Sequence, residues 1–455
     1  MKILILGAGQ VGRTAAQSLA GEPANEVTVI DNNEQVLRDL QDRIDIRAVA
    51  GNAAHPSVLE SAGIADTDIL IALTNSDEVN IVACQIAQLL YRTPTRIARI
   101  RAAEYTSRPQ LFAEGGLAVD VWISPEELVT DYIAHLLSNP GALQVVDFAD
   151  GRVQLAGVRA QPEGLLVGKP LRTLREHLPD SDVRVAAIYR DGLLLSAGGD
   201  TVIAEGDEIF FVAARDDLTK MLAEVRKRLP RVRKLVIAGG GHIGLRLART
   251  LEHTHQIKLI ERDPRRARRA SEILQSAIVL QGDAADEELM LEENIDSADV
   301  FAALTNSDEA NVMAAMLAKR LGASRVMALV NRPSYAELME SRNIDIVISP
   351  QTITIGSLLA HVRRGDVVRV HSLRRGIAEA IEVVVHGTAE RSRVIGRRIE
   401  QVELPEGASV VAIARGEAVI MAHHDTLIEN EDHLIVFLAD RRHVEAVERL
   451  FQGER

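Results

Sequence analysis

A chain of 455 residues with 47% hydrophobic and 26% charged residues has the make-up of a soluble globular protein with enough apolar side chains for several cores. Its net charge of −13 opposes nucleic-acid binding, which needs a basic surface, and 3% aromatic residues leave little for base stacking. The single cysteine, Cys84, excludes an intramolecular disulfide, fits a reducing compartment and, among apolar neighbours in IVACQIA, reads as a small core residue.

Residues 1–138 alternate short apolar runs with helical patterns. Strands are predicted at 2–6, 27–30, 47–50, 68–73, 96–100 and 119–123, and helices at 11–19, 34–42, 55–62, 77–90, 108–114 and 126–138. This alternation predicts a parallel sheet covered on both faces and wound by right-handed crossovers. The opening MKILILGAG runs straight into a strand and a glycine loop, unlike a secretory signal. No apolar stretch approaches the roughly 20 residues of a spanning helix. Asn139-Pro140-Gly141 breaks the pattern. The short strands that follow, LQVVDF, VQLAGV, VRVAAIYR and DEIFFVAA, predict a small α+β domain on an antiparallel sheet. A basic stretch at 226–234, with Pro230 inside it, reads as a semi-extended linker.

The chain then repeats itself. KILILGAGQVGRTAAQSL at 2–19 returns as KLVIAGGGHIGLRLARTL at 234–251, ALTNSDEVN at 72–80 as ALTNSDEAN at 303–311, and VWISP at 121–125 as IVISP at 346–350. GKPL at 168–171 likewise returns as GRRI at 396–399, and GDEIFFVA at 206–213 as EDHLIVFL at 431–438. A period above two hundred residues is too long for a solenoid, so each copy is a folding unit. The fold class is therefore α/β: two tandem Rossmann-like, doubly wound parallel-sheet domains at 1–138 and 232–362, each followed by a small α+β domain, at 142–226 and 367–455.

The first glycine loop, Gly7-Ala8-Gly9-Gln10-Val11-Gly12, fits G-x-G-x-x-G in its required context of strand before and helix after. Gly7 permits the tight turn, Gly9 lets backbone approach a pyrophosphate at the helix N-terminus, and Gly12 allows close helix–sheet packing. Asp31, 19 residues past Gly12, ends the second strand. It can accept ribose hydroxyls and would repel a 2′-phosphate, which favours NAD(H) over NADP(H). The second loop, Gly239-Gly240-Gly241-His242-Ile243-Gly244, is followed by Glu261, then by Arg262 and a basic run that serves a phosphate or, the reading preferred, coats a solvated helix face. NAD(H) fits this copy too, with AMP-type, ADP or ATP occupancy left open. Asn52 and Asp283 follow the third strands, where a short polar side chain can meet adenine or its ribose. Thr74 and Asn75, and Thr305 in the second copy, follow the fourth strands; Ser76 and Ser307 double as ordinary helix caps. Arg99 and Arg101 leave the fifth strand near the same rim, where they contact a nucleotide or a partner or serve as plain surface arginines.

Catalytic machinery is not apparent in the sequence. Neither a metal-ligand cluster nor a nucleophile elbow stands out, and histidines such as His253, His255, His423 and His424 read as surface or core. The small domains look too plain to serve as substrate domains with an acid–base group. Sensing of nucleotides therefore outweighs two alternatives: an NAD-dependent oxidoreductase with a tandem Rossmann architecture, and a redox-responsive transcriptional regulator.

GAGQVG, VIDNN, ALTNSDE, the linked small domain and the tandem repeat together resemble the RCK (or KTN) family that gates potassium channels and transporters, and within it the two-unit regulatory subunits of bacterial Trk-type uptake systems. The resemblance covers essentially the whole chain. It implies NAD(H) and adenine-nucleotide binding, no catalysis, and a Trk-type membrane potassium transporter as partner. It also implies a homodimer forming a ring of four nucleotide domains, and a cytoplasmic, peripheral location at the membrane. Apolar faces around 126–138 and 352–363 are expected to make the domain-pairing contacts.

Overall fold

The computed structural model describes residues 1–113, 115–162, 164, 166–177, 182–195, 197–225, 232–332, 344–362, 367–374 and 377–451. Most of the expected linker, 226–231, lies outside them. By its contacts the chain divides into two units, Met1–Leu128 with Pro350–Val362, and Val129–Ser349 with Arg363–Arg455.

In the first unit, strands β1 (Lys2–Leu6), β2 (Glu26–Asp31), β3 (Arg47–Ala50), β4 (Ile69–Ala72), β5 (Thr95–Arg99) and β6 (Val121–Ile123) form a parallel sheet in the order β3-β2-β1-β4-β5-β6. This is the doubly wound order that the alternation predicts. Leu6, Ile30, Leu59, Leu70 and Ala98 fill one side of its core together with Cys84, whose thiol burial pushes up to about 12. The helix expected at 77–90 runs over Asp77–Ile86 and continues as a π-helical turn, Ala87–Tyr91, which Arg92 ends at φ 54°. The helix expected at 108–114 is instead a short helix, Ala103–Thr106, and a 3-10 turn, Pro109–Phe112. Pro109 accounts for the break, because the residue before a proline is pushed out of the α region, and Arg108 sits at φ −123°, ψ 75°. Helix Pro350–Val362, from the second repeat, packs against helix Gln10–Ala20 and β6 of this unit. The Thr14 hydroxyl donates to Gln351 Oε1 at 3.2 Å, and Thr354, Leu358 and Val362 are buried.

The second unit holds the other three sheets. Strands β7 (Ala142–Phe148), β8 (Val153–Arg159), β9 (Val183–Arg190), β10 (Leu193–Leu195) and β11 (Glu208–Ala214) form an antiparallel sheet, β10-β9-β11-β8-β7. Strands β12 (Lys234–Ala238), β13 (Gln256–Glu261), β14 (Ile278–Gln281), β15 (Val300–Ala303), β16 (Arg325–Leu329) and β17 (Ile346–Ile348) repeat the parallel order, β14-β13-β12-β15-β16-β17. Strands β18 (Val367–Leu373), β19 (Ala378–Val384), β20 (Ala408–Arg415), β21 (Ala418–Met421) and β22 (His433–Leu438) form the last sheet, β18-β19-β22-β20-β21. Helix Pro125–Ser138 belongs to this unit from Val129 onward, with Val129, Ile133 and Leu136 buried.

The two small domains share one core. Phe148, Phe210, Leu373 and Phe437 lie in a single apolar cluster, with Phe210 and Phe437 centroids 6.1 Å apart. Polar contacts stitch its margins: Gln144 Nε2 donates to the Ser372 carbonyl at 2.8 Å, and the Ala149 N–H donates to Glu382 Oε2 at 2.9 Å. Each small domain also closes on the same ion pair. Arg190 grips the fully buried Asp207 with Nε and Nη2 at 2.8 Å each, and Arg415 grips the fully buried Asp432 at 2.7 and 2.8 Å. A duplicated chain that retains both pairs retains the turn each one anchors.

Candidate nucleotide sites

Each parallel sheet carries a glycine loop at the carboxyl end of its first strand. Gly7 stands at φ +99°, and a Cβ there would meet the backbone of Leu73 and Thr74 at 3.0 Å. Gly239, at φ +108°, is placed the same way against Leu304 and Thr305. A Cβ on Gly12 would lie 1.9 Å from the Gly7 carbonyl oxygen, and one on Gly244 equally close to that of Gly239. These four glycines are therefore demanded by packing. The middle glycines differ: a Cβ on Gly9 or Gly241 would meet no atom within 4 Å. Backbone there faces open space at the start of a helix.

That helix end carries no negative charge of its own. Gly9 caps Gln10–Ala20 and Gly241 caps His242–Leu251, neither with a side-chain hydrogen bond, and neither helix has an acidic residue in its first turn. The helices that start at Glu34, Asp77, Pro264, Glu287 and Asp308 are closed by Asn33, Ser76, Asp263, Asp286 and Ser307. Uncapped N–H groups with the positive end of the macrodipole suit a diphosphate. Gln10 and His242 are exposed, Val11 and Ile243 half-buried, all in the first turn.

The acids after the second strands tie these loops down. Asp31 Oδ2 accepts the Ala8 N–H at 2.6 Å and Oδ1 the Asn33 N–H at 2.8 Å. Glu261 does the same with Gly240 at 2.6 Å and Asp263 at 2.8 Å. Each carboxylate oxygen retains a lone pair for a ribose hydroxyl. The longer acid is matched by a smaller loop residue: a Cβ on Gly240 would stand 3.2 Å from Glu261 Oε2, where the first copy pairs Ala8 with the shorter Asp31. Asn52 Oδ1 accepts the Ala54 N–H, and Asp283 Oδ1 the Ala285 N–H, each at 2.9 Å, so both shape the turn after the third strand. Arg262 is exposed and 3.8 Å from Asp283, in keeping with a solvated face.

Thr74 and Thr305 are each held by an asparagine that the sequence reading did not single out. Asn80 is fully buried; its Oδ1 accepts from the Thr74 N–H at 3.0 Å and hydroxyl at 2.7 Å, and its Nδ2 donates to the Arg99 carbonyl at 2.9 Å. Asn311 repeats this with Thr305 at 2.8 and 2.6 Å and with the Leu329 carbonyl at 2.8 Å. Asp77 accepts the N–H groups of Arg101 and Ala102, and Asp308 those of Asn331 and Arg332. The signal was present: both residues recur unchanged within ALTNSDEVN and ALTNSDEAN. Ser76 and Ser307 act as caps, accepting from Val79 and Ala310 at 3.2 and 3.3 Å. The Ser76 hydroxyl also donates to Glu78, and this bond, with the residue's own N–H, holds the Glu78 carboxyl below the usual range. Asn75 is exposed, and its carbonyl accepts from Arg101.

The rims of the two sites differ in charge. Arg99 and Arg101 follow the fifth strand in the first copy, and Leu329 and Asn331 hold the matching positions in the second. Arg99 Nη2 lies 3.3 Å from Glu126 Oε1, and Arg101 Nε 3.5 Å from Asp77 Oδ1. Among the described residues no group of three or more histidine, cysteine or acidic side chains is arranged to hold a metal ion.

The fold is thus a tandem of two dinucleotide-type parallel sheets, each with a small α+β domain. Residues 3–125 and 235–350 match the TrkA-N domain, and residues 155–226 and 388–452 the TrkA-C domain. The Trk system potassium uptake protein TrkA of Halomonas elongata is 52% identical over 452 residues, and that of Vibrio alginolyticus 52% identical over 453, each alignment covering 99% of both chains. The Haemophilus influenzae protein of the same name is 45% identical over 453 residues. Among solved structures, the GsuK RCK domain shares the fold with a TM-score of 0.62 at 20% identity, covering 99% of this chain and 94% of that one. The GsuK channel bound to NAD gives 0.61 at 19% identity, covering 99% and 78%. The chain belongs to the TrkA family of tandem RCK proteins.

Proposed function

We propose that this protein is a nucleotide-responsive regulatory subunit of a Trk-type potassium uptake system, without catalytic activity of its own. The carrying observation is the pair of glycine-loop helices whose first turns are left without a side-chain cap beside a loop-tying acid. The first site takes NAD(H), contacted by Gly7, Gly9, Gln10, Val11, Gly12, Asp31, Asn52, Thr74 and Asn75, and its Arg99 also suits ADP or ATP. The second, with Gly239, Gly241, His242, Ile243, Gly244, Glu261, Asp283 and Thr305, has Leu329 and Asn331 where the first has Arg99 and Arg101, and takes a dinucleotide or adenine mononucleotide. Relatives covering the whole chain are named for potassium uptake, and a channel sharing the fold is bound to NAD. No helix among the described residues is long and apolar enough to cross a membrane, so contact with the pore falls to a membrane partner. On this reading the protein sits at the cytoplasmic face and two chains supply a ring of four nucleotide domains. Each ligand shifts the transporter by its differential affinity for two states of that ring, on the order of 1–3 kcal/mol per site.

Calorimetric titration of NADH and ADP into the full chain tests the assignment. Gly9→Val and Gly241→Val should each remove one binding event and leave the other, because both positions are open in the free protein. Unchanged binding in both variants would overturn it, as would steady NADH consumption with a metabolite.

A further inference from the structure

The first site carries the Arg99–Glu126 ion pair, whose matching positions in the second are Leu329 and Gln351. A run of close contacts leads from its glycine loop to the helix that leaves the unit. Thr74, against which Gly7 packs, is held by Asn80; Asn80 holds the Arg99 carbonyl at 2.9 Å; and the Arg99 side chain reaches Glu126 at 3.3 Å. Both side chains of that pair are 19% exposed. The Arg99 Nε is buried with no hydrogen-bond partner among the described residues, so the guanidinium holds one carboxylate oxygen at the long end of hydrogen-bond range and has a donor to spare. In the second repeat the same run reaches Leu329, whose side chain carries no charge to continue it, and the counterpart of Glu126 is Gln351, which accepts from Thr14 instead.

Glu126 stands in the first turn of helix Pro125–Ser138, whose residues from Val129 belong to the second unit. The macrodipole favours an acid there even when Arg99 lets go. A half-buried guanidinium serves one carboxylate or one phosphate well, but not both.

We propose that Glu126 competes with the nucleotide's phosphate for Arg99, so that anion occupancy of the first site releases the opening turn of the helix that runs into the second unit. The proposal rests on the nucleotide reading given above. It makes Glu126 a positioning residue that tunes affinity for phosphate-bearing ligands, and by linkage the ligand loosens the Arg99–Glu126 contact as much as that contact weakens the ligand.

The test uses the full chain with ADP as the charged probe and adenosine as the uncharged control, in the wild type, Glu126→Gln, Arg99→Leu and the double variant. Both replacements are the residues of the second repeat, so the fold already accommodates them there. Glu126→Gln should tighten ADP about 3- to 10-fold and leave adenosine unchanged. Arg99→Leu should weaken ADP, and in its background Glu126→Gln should have no further effect. Amide exchange at 125–128 should accelerate when ADP binds the wild type. If Glu126→Gln leaves ADP affinity unchanged or lowers it while the wild type binds normally, the competition is wrong and the nucleotide reading stands. If the wild type binds NADH but no ADP, the competition falls alone; if it binds neither, both fall.

Discussion

The two kinds of glycine in each loop answer to different constraints, and the difference can be measured. Gly12 is fixed by the 1.9 Å that would separate its Cβ from the Gly7 carbonyl, with or without ligand. Gly12→Ala must therefore push helix Gln10–Ala20 off the sheet, at a cost on the order of 2–4 kcal/mol. Gly9, extended and open, should accept alanine within about 0.5 kcal/mol. Equilibrium unfolding of the two variants should separate them by that margin, and equal stability would mean that the helix is not seated against the loop as described. The same economy of space governs the acids. Glu261 needs one methylene more than Asp31, and the loop supplies it by exchanging Ala8 for Gly240. An exchange that reads in sequence as two unrelated conservative changes is one packing adjustment in space.

The strands and the helices that open the sites follow from pattern alone, because alternation and apolar runs report local burial directly. Partnership does not follow so readily. Helices Pro125–Ser138 and Pro350–Val362 are visibly apolar, yet an apolar face says only that it is covered, not by which sheet; Pro350–Val362 packs in the first unit and Val129–Ser138 in the second. β10 was missed because Leu193 and Leu194 lie exposed on an edge, with no core to impose alternation. The buried asparagines escaped for another reason: Ser76 and Ser307 already account for the helix start as caps, and only the structure shows Asn80 joining the ends of β4 and β5. Its removal is correspondingly expensive. Asn80→Ala leaves the Thr74 N–H and the Arg99 carbonyl without their partner, costing about 2–4 kcal/mol by chemical denaturation. Nucleotide affinity at the first site should fall with it, and a loss below about 1 kcal/mol would show that water or a shifted neighbour replaces the amide.

Pairing of the two small domains fixes how the second unit responds to acid. His371 lies inside that shared structure, its ring edge-on to Phe148 at 5.0 Å and its Nε2 3.1 Å from the Asp147 carbonyl oxygen. Burial pushes its pKa from the ordinary 6.5 down to about 4; the nearby Arg369 and His135 push the same way, and the Asp147 carboxylate and carbonyl push back. Between those values the unfolded chain takes up a proton that the folded one refuses. Stability is thus complete above about 6.5 and declines as the pH falls toward about 4, by at most about 3 kcal/mol from this group. His135 and Arg215 stand 3.2 and 3.7 Å from the same Asp147 carboxylate, contacts that a change at His371 leaves in place. His371→Phe keeps an aromatic ring against Phe148 and removes the proton site. It sacrifices the bond to Asp147, so it should be less stable than the wild type at neutral pH, yet its denaturation midpoint should decline less steeply across the acid interval. Parallel slopes in the two proteins would mean that His371 is protonated in the folded state, and that the packing of the small domains is looser than their common core implies.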